Sequence, residues 1–229
     1  MKKLLMFSLL LAWAVPASAT VYTDTTGDTF AGVGGGGILD IASVEVTNTA
    51  TEVSFAVTLV GDIAATNWGK YLVVIDSAAG GDTAGDPPPW NRNVSMASGM
   101  DYFVGSWADG TASDGAELYS YDGANWNLDE ATYNVGDDIS VSKTQFSTTI
   151  TVPLAGIGVS LGGSFDFDVF STGSNPGDGG IDSLGNPSEN VSNWGEASAA
   201  TPVTYVTPEP ATLGLLAIGG MVALRRRRS

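Results

Sequence analysis

The chain contains neither cysteine nor histidine, and only nine lysines and arginines stand against 25 aspartates and glutamates among 229 residues. Without cysteine there is no thiol nucleophile, disulfide, thiolate-bound zinc or iron–sulfur cluster; without histidine there is no imidazole base and no imidazole metal ligand. Carboxylate, hydroxyl and lysine chemistry remain. The shortage of cations is sharper than the totals suggest. Lys2, Lys3, Arg225, Arg226, Arg227 and Arg228 all lie at the ends, so between positions 20 and 206 only Lys70, Arg92 and Lys143 oppose 24 acids, a net charge of −21. Such a surface repels nucleic acid and anionic lipid, and no nucleic-acid partner is expected. An apolar fraction of 43% with sustained Val/Ile/Phe alternation argues for a folded body rather than an acidic disordered chain.

Both ends read as addresses. Lys2-Lys3, an apolar run over 4–15 and small residues at Ala17 and Ala19 give a secretory signal peptide over 1–19, with signal peptidase cutting after Ala19. At the other end, residues 211–224 are apolar and uncharged, and the four arginines follow at once. As a helix this segment would span about 21 Å, short of a hydrocarbon core of roughly 30 Å. The arginines 225–228 act as a stop-transfer cluster that keeps the last residues cytoplasmic, so the segment inserts transiently while the acidic domain lies outside. Just before it stands Pro208-Glu209-Pro210, whose prolines disfavour helix and hold the backbone extended, as a protease cleft requires.

Pro-Glu-Pro, a short apolar helix and a terminal arginine cluster, in that order over 206–229, resemble the PEP-CTERM sorting signal of bacterial envelope proteins. The resemblance implies recognition of Pro208, Glu209 and Pro210 by an exosortase-type membrane transpeptidase, removal of the apolar helix, and passage from an inner-membrane intermediate to the cell surface or extracellular matrix. A simple single-pass tail anchor behind a proline-rich linker is the alternative.

The interval 20–205 reads as one acidic all-β domain, an antiparallel, jelly-roll-like β-sandwich. Val53, Phe55, Val57 and Leu59 alternate with Glu52, Ser54, Ala56 and Thr58, the period of a strand with one buried face. Similar patterns mark 139–141, 146–152 and 165–169; 41–46, 102–107, 117–121 and 203–206 are further strands, and 71–75 is apolar on both faces, as a central strand would be. Turn residues fill the gaps, among them Gly61-Asp62, Asp122-Gly123, Gly136-Asp137 and Gly162-Gly163. Pro153-Leu154-Ala155-Gly156 suits one helical turn. Two long stretches rich in Gly, Asp, Asn and Pro, 77–98 and 172–200, break the rhythm as functional or mobile loops.

The order Thr23-Asp24-Thr25-Thr26-Gly27-Asp28, Leu39-Asp40-Ile41 with Val44 and Val46, then the strands at 53–59 and 69–76, resembles the DOMON-like sandwiches that include the ninth family of carbohydrate-binding modules. That resemblance implies sugar or haem binding or an accessory role outside the cell, with structural calcium in some members. Haem would need axial ligands such as Met or His, and His is absent.

Several chemical motifs dissolve on inspection. Gly32, Gly34 and Gly37 formally spell G-x-G-x-x-G, but no strand enters and no helix leaves, so a flexible loop is expected. Ser140-Val141-Ser142-Lys143 matches S-x-x-K within a strand pattern, where the motif has no helix start to act from. Paired carboxylates could serve a hydrolase, yet most acids sit in turns, and Asp166 and Asp168 read as a solvated strand face, so the domain is expected to be non-enzymatic and without a cofactor apart from structural calcium. For calcium, which takes oxygen ligands alone, the candidates are Asp82 and Asp86 in one long loop and Asp178 and Asp182 in the other. For a glycan such as exopolysaccharide the candidates are Trp90, Asn91 and Arg92, an indole face beside polar groups in the loop after Pro87-Pro88-Pro89.

Overall fold

A computed structural model describes residues 19–66, 68–83, 87–108 and 114–209. Residues 1–18 of the expected signal peptide, Asp86, Pro210, the apolar segment 211–224 and the arginine cluster lie outside these residues. No helix among the described residues is long and apolar enough to cross a membrane.

The strands are β1 (Thr20–Thr23), β2 (Ile41–Asn48), β3 (Glu52–Leu59), β4 (Lys70–Asp76), β5 (Val94–Ser95), β6 (Tyr102–Trp107), β7 (Gly115–Tyr121), β8 (Trp126–Ala131), β9 (Ser140–Lys143), β10 (Ser147–Pro153), β11 (Ser164–Thr172), β12 (Asp182–Ser183), β13 (Ser198–Ala199) and β14 (Val203–Val206). One sheet runs β1-β2-β3-β10-β9; the other runs β12-β11-β4-β6-β7-β8, with β14 pairing β11 on the same edge as β12. All pairings within these two sheets are antiparallel. A 3-10 turn at Ala155–Ile157 matches the helical turn expected beside Pro153.

The alternation in β3 becomes an inward row. Val53, Phe55, Val57 and Leu59, with Ile150 and Val152 of β10, share one core with Tyr71, Val73, Ile75, Phe165, Phe167 and Val169 from the facing sheet. Each such side chain, fully buried, contributes about 1.5–3 kcal/mol, and this shared core makes the two sheets a sandwich. The double apolarity of 71–75 has a separate cause. Leu72, Val74, Phe103 and Phe170 point to the outer face of the second sheet, where Val94, Met96 and Met100 cover them.

The two long loops are therefore more structured than their composition implies. Residues 94–100 lie down over the sheet, and β5 pairs in parallel with β13 of the other long segment, Val94 opposite Ser198 and Ser95 opposite Ala199. The glycine run is a loop, as expected, and turns through left-handed φ values of 75°, 62° and 88° at Gly35, Gly36 and Gly37. A side chain at Gly61 would meet Gly36 O at 2.4 Å and Ile38 N at 2.5 Å, so that turn packs directly on the backbone after β3.

The expected solvated face at Asp166 and Asp168 is corrected at Asp168, which is fully buried. Its carboxylate accepts from Val169 N, Gly185 N and Thr201 N at 2.8, 3.0 and 2.9 Å and from Ser183 Oγ at 2.9 Å. It pins the 182–201 segment to β11. Burial lifts its pKa to about 6, outweighing four donors that pull it down.

Candidate functional site

Where β1 ends, Asp24 N donates to Ala42 O of β2, and the chain turns through Thr25, Thr26 and Gly27 to Asp28. Gly27 takes a left-handed φ of 83°, and its N–H donates to Asp40 Oδ2 at 2.9 Å. The turn thus places Asp24 and Asp28 side by side with Asp40 beneath. Asp182 comes from the opposite sheet. It pairs with Ser171 in register, and its Oδ2 accepts from Ile41 N at 2.6 Å, which holds the carboxylate between the sheets. Ser183 N donates to its Oδ1 at 2.8 Å.

Oxygens of Asp24, Asp28 and Asp182 lie within 4.8 Å of one another. Asp24 Oδ2, both oxygens of Asp28 and Asp40 Oδ1 are sealed from solvent and accept no hydrogen bond from another residue. Burial is the first cause of a raised pKa at all four carboxyls, to about 7 at Asp24 and about 8 at Asp182. Mutual charge adds to it: Asp28 and Asp40 raise Asp24, and Asp24 and Asp28 raise Asp182. This arrangement gathers carboxyl oxygens of which four have no donor from another described residue, which is the ligand chemistry of a hard cation.

The calcium candidates read from the loops do not converge. Asp182 alone joins the cluster. Asp82 is buried and accepts from the Trp126 indole N–H at 3.0 Å. Asp178 faces Arg92, with Nη1 3.8 Å from its Oδ2, and accepts from Asn175 N at 2.9 Å. Asp24, Asp28 and Asp40 were visible in the Asp-Thr-Thr-Gly-Asp and Leu-Asp-Ile signatures, but their meeting with a residue more than 140 positions later is a product of the sandwich.

The glycan trio is likewise reshaped. Trp90 is half-buried, edge-on to Phe103 at 6.0 Å and tilted against Trp107 at 5.9 Å, and its indole N–H donates to Glu117 Oε2 at 2.6 Å. Arg92 is buried, its guanidinium 5.8 Å from the Trp90 ring and bonded to Asn175 O. Of the three, only Asn91 is exposed. A second pair of indoles borders a cavity elsewhere. Trp68 and Trp194 meet edge-on at 6.0 Å beside a cavity of about 230 Å3 that is also lined by Val33, Ser174, Asn175 and Asp178.

As for paired acids, Asp76 and Asp166 sit opposite each other on β4 and β11 and line a shallow open depression, with Thr204 Oγ1 donating to Asp166 at 2.5 Å.

At the far end of the same edge, β14 runs along β11 with Val206 opposite Ser164. Thr207 is fully buried: its N–H donates to Gly163 O, its carbonyl accepts from Gly162 N, both at 2.9 Å, and its hydroxyl reaches Ser160 O at 2.9 Å. Pro208 and Glu209 follow without an intervening linker. Residues 206–228 match the family model described as the PEP-CTERM protein-sorting motif, so the match begins on the last residue of β14. No curated protein matches the chain. The motif implies export, an exosortase as the recognising enzyme, and a membrane-anchored intermediate that precedes the surface form.

Proposed function

We propose that this is an exported surface protein, sorted through Pro208, Glu209 and Pro210, whose β-sandwich is a non-enzymatic structural or adhesive body in the envelope or extracellular matrix. The observation that carries it is the junction at Thr207. The last described strand ends where the sorting motif begins, so processing after the motif would leave the sandwich whole. The Lys2-Lys3 and Ala17/Ala19 pattern supports export through signal peptidase. The absence of His and Cys, and the engagement of acids such as Asp62, Asp122 and Asp168 as acceptors for backbone N–H groups, support a role without catalysis. Cell fractionation with mass spectrometry of the mature chain tests this. The expected product starts at Thr20 and lacks the arginine cluster, and Glu209→Ala accumulates in the membrane fraction with its C-terminus intact. A wild-type product that keeps Arg225 to the end rejects sorting.

A second reading is supported by the Trp68–Trp194 cavity. Indole faces stack on sugar rings, and Asn175, Ser174 and Asp178 offer hydroxyl partners. At about 230 Å3 the space is below that of drug-sized sites, roughly 300–1,000 Å3, and suits one ring of a polysaccharide. A glycan array with Trp194→Ala beside Trp90→Ala tests it. Binding lost with the first and kept with the second supports the cavity; an array without any binding by the wild type rejects it.

A further inference from the structure

We propose that Asp24, Asp28, Asp40 and Asp182 bind a hard divalent cation, calcium by the number of carboxylates, which fastens the N-terminal strand to the edge of the opposite sheet. This goes beyond the surface role above and does not depend on it.

The first ground is accounting of polar groups. Asp24 Oδ2 and Asp28 Oδ1 and Oδ2 are closed off from water and receive no donor from another described residue. Buried polar atoms in native proteins are almost always satisfied, and buried charge is paired or coordinates a metal. Among the described residues no side-chain cation hydrogen-bonds these oxygens; Arg92 faces Asp178, and Lys143 Nζ lies 2.6 Å from Asp114. The second, independent ground is Asp40. It lies outside the three-residue cluster yet is only 7% exposed; one oxygen is held by Gly27 N in the turn between Asp24 and Asp28, and the other is left bare. A carboxylate buried to that degree toward two others signals a missing positive charge.

Ligand number selects the ion. Calcium takes six to eight oxygen ligands at about 2.3–2.6 Å in flexible geometry, whereas magnesium keeps several waters and is usually held by one or two carboxylates. Oxygens of Asp24, Asp28 and Asp182 lie within 4.8 Å of one another, and Asp40 adds a fourth carboxylate beside them, a gathering that suits calcium. The bonds from Ile41 N and Ser183 N to Asp182 fix its carboxylate as outer-shell contacts do in metal sites. Bound there, the ion would join the turn after β1 to β12, across the gap between the sheets. The same loop carries Phe30, edge-on to Trp194 at 5.5 Å, and Val33 of the indole cavity, so the ion would also set one wall of that cavity.

The test is thermal unfolding of the purified exported protein in calcium chloride, magnesium chloride or chelator, each at about 1 mM and constant ionic strength, with Asp28→Asn and the exposed control Asp129→Asn. Extracellular calcium modules bind at about 10⁻⁴–10⁻³ M, so calcium is expected to raise Tm by several degrees over chelator, and magnesium by less. Asp28→Asn should lose the calcium response and, in chelator, unfold at or above the wild-type Tm because one repelling charge is gone. Asp129→Asn should keep the full response. A wild-type Tm equal in calcium and chelator overturns the site, as does a calcium response that survives Asp28→Asn, or an Asp28→Asn protein equally destabilised in both. An equal response to magnesium overturns the assignment to calcium.

Discussion

At the scale of single residues, Asp168 shows how far a sequence pattern can mislead about a carboxylate. Its alternation with Phe167 and Val169 correctly puts it on the face away from the inter-sheet core. That face is covered by a segment from fifteen to thirty-three positions later, which no local pattern displays. An amide in its place would turn an NH2 group toward backbone N–H donors, so Asp168→Asn should cost about 1–3 kcal/mol. The pH dependence has a definite sign. Burial raises the native pKa to about 6, above roughly 3.9 in the unfolded chain, so the carboxyl's contribution is complete below about pH 4 and is lost as pH climbs through 6. Chemical denaturation from pH 4 to 7 should therefore show a steeper decline in wild type than in Asp168→Asn. Gly105 offers a second test. A methyl group there would stand 2.4–2.7 Å from the Trp90 ring, so Gly105→Ala should lift the indole from Glu117 and open the 87–93 segment to protease, measured by limited proteolysis.

At the scale of elements, the strands with strict alternation were legible because one face of each meets the core: β3, β10 and the inner face of β11 need only residue type at period two. Phe146 marks the limit of that signal. It continues the rhythm of Thr148, Ile150 and Val152 on paper but precedes β10 and is 45% exposed. β8, Trp-Asn-Leu-Asp-Glu-Ala, was silent because it is an edge strand whose side chains mostly face water. β5, β12 and β13 are two residues each and owe their pairing to tertiary contact. The covering of the second sheet rests on Phe103, which packs against Trp90, Tyr119 and Trp126. Phe103→Ala should lose about 3–5 kcal/mol, whereas Phe146→Ala should stay within about 1 kcal/mol; urea midpoints compare the two.

For the whole molecule, the sorting end was readable without structure because a peptide signal is recognised as a sequence. The acidic cluster is half readable: the sequence displays its residue types and two signatures, but composition alone points to the long loops, and only the sandwich topology brings Asp182 to the turn after β1. The charge of −21 between 20 and 206 has its own consequence. Self-repulsion among exposed acids such as Asp122, Asp129 and Asp138 weakens the compact state, and monovalent salt screens it. Raising sodium chloride from about 10 to 150 mM shortens the Debye length from roughly 30 to 8 Å, and Tm in chelator should rise with it.

The position of the two strands at the sheet edges settles which way the body faces. Tyr22 touches Phe167 and donates to Thr204 O, while Asp24, two residues on, reaches Asp182 beside Ser171, so β1 travels in the direction of β11. Thr20 therefore emerges near Ser164 and Val206, and Tyr205 OH bonded to Asn48 marks that same pole. The chain thus enters and leaves the sandwich at one pole. The carboxylate cluster and the paired indoles occupy the opposite pole, where β4 begins and β11 ends. A label fixed at Thr20 or Thr207 would therefore stand a full strand length away from both groups.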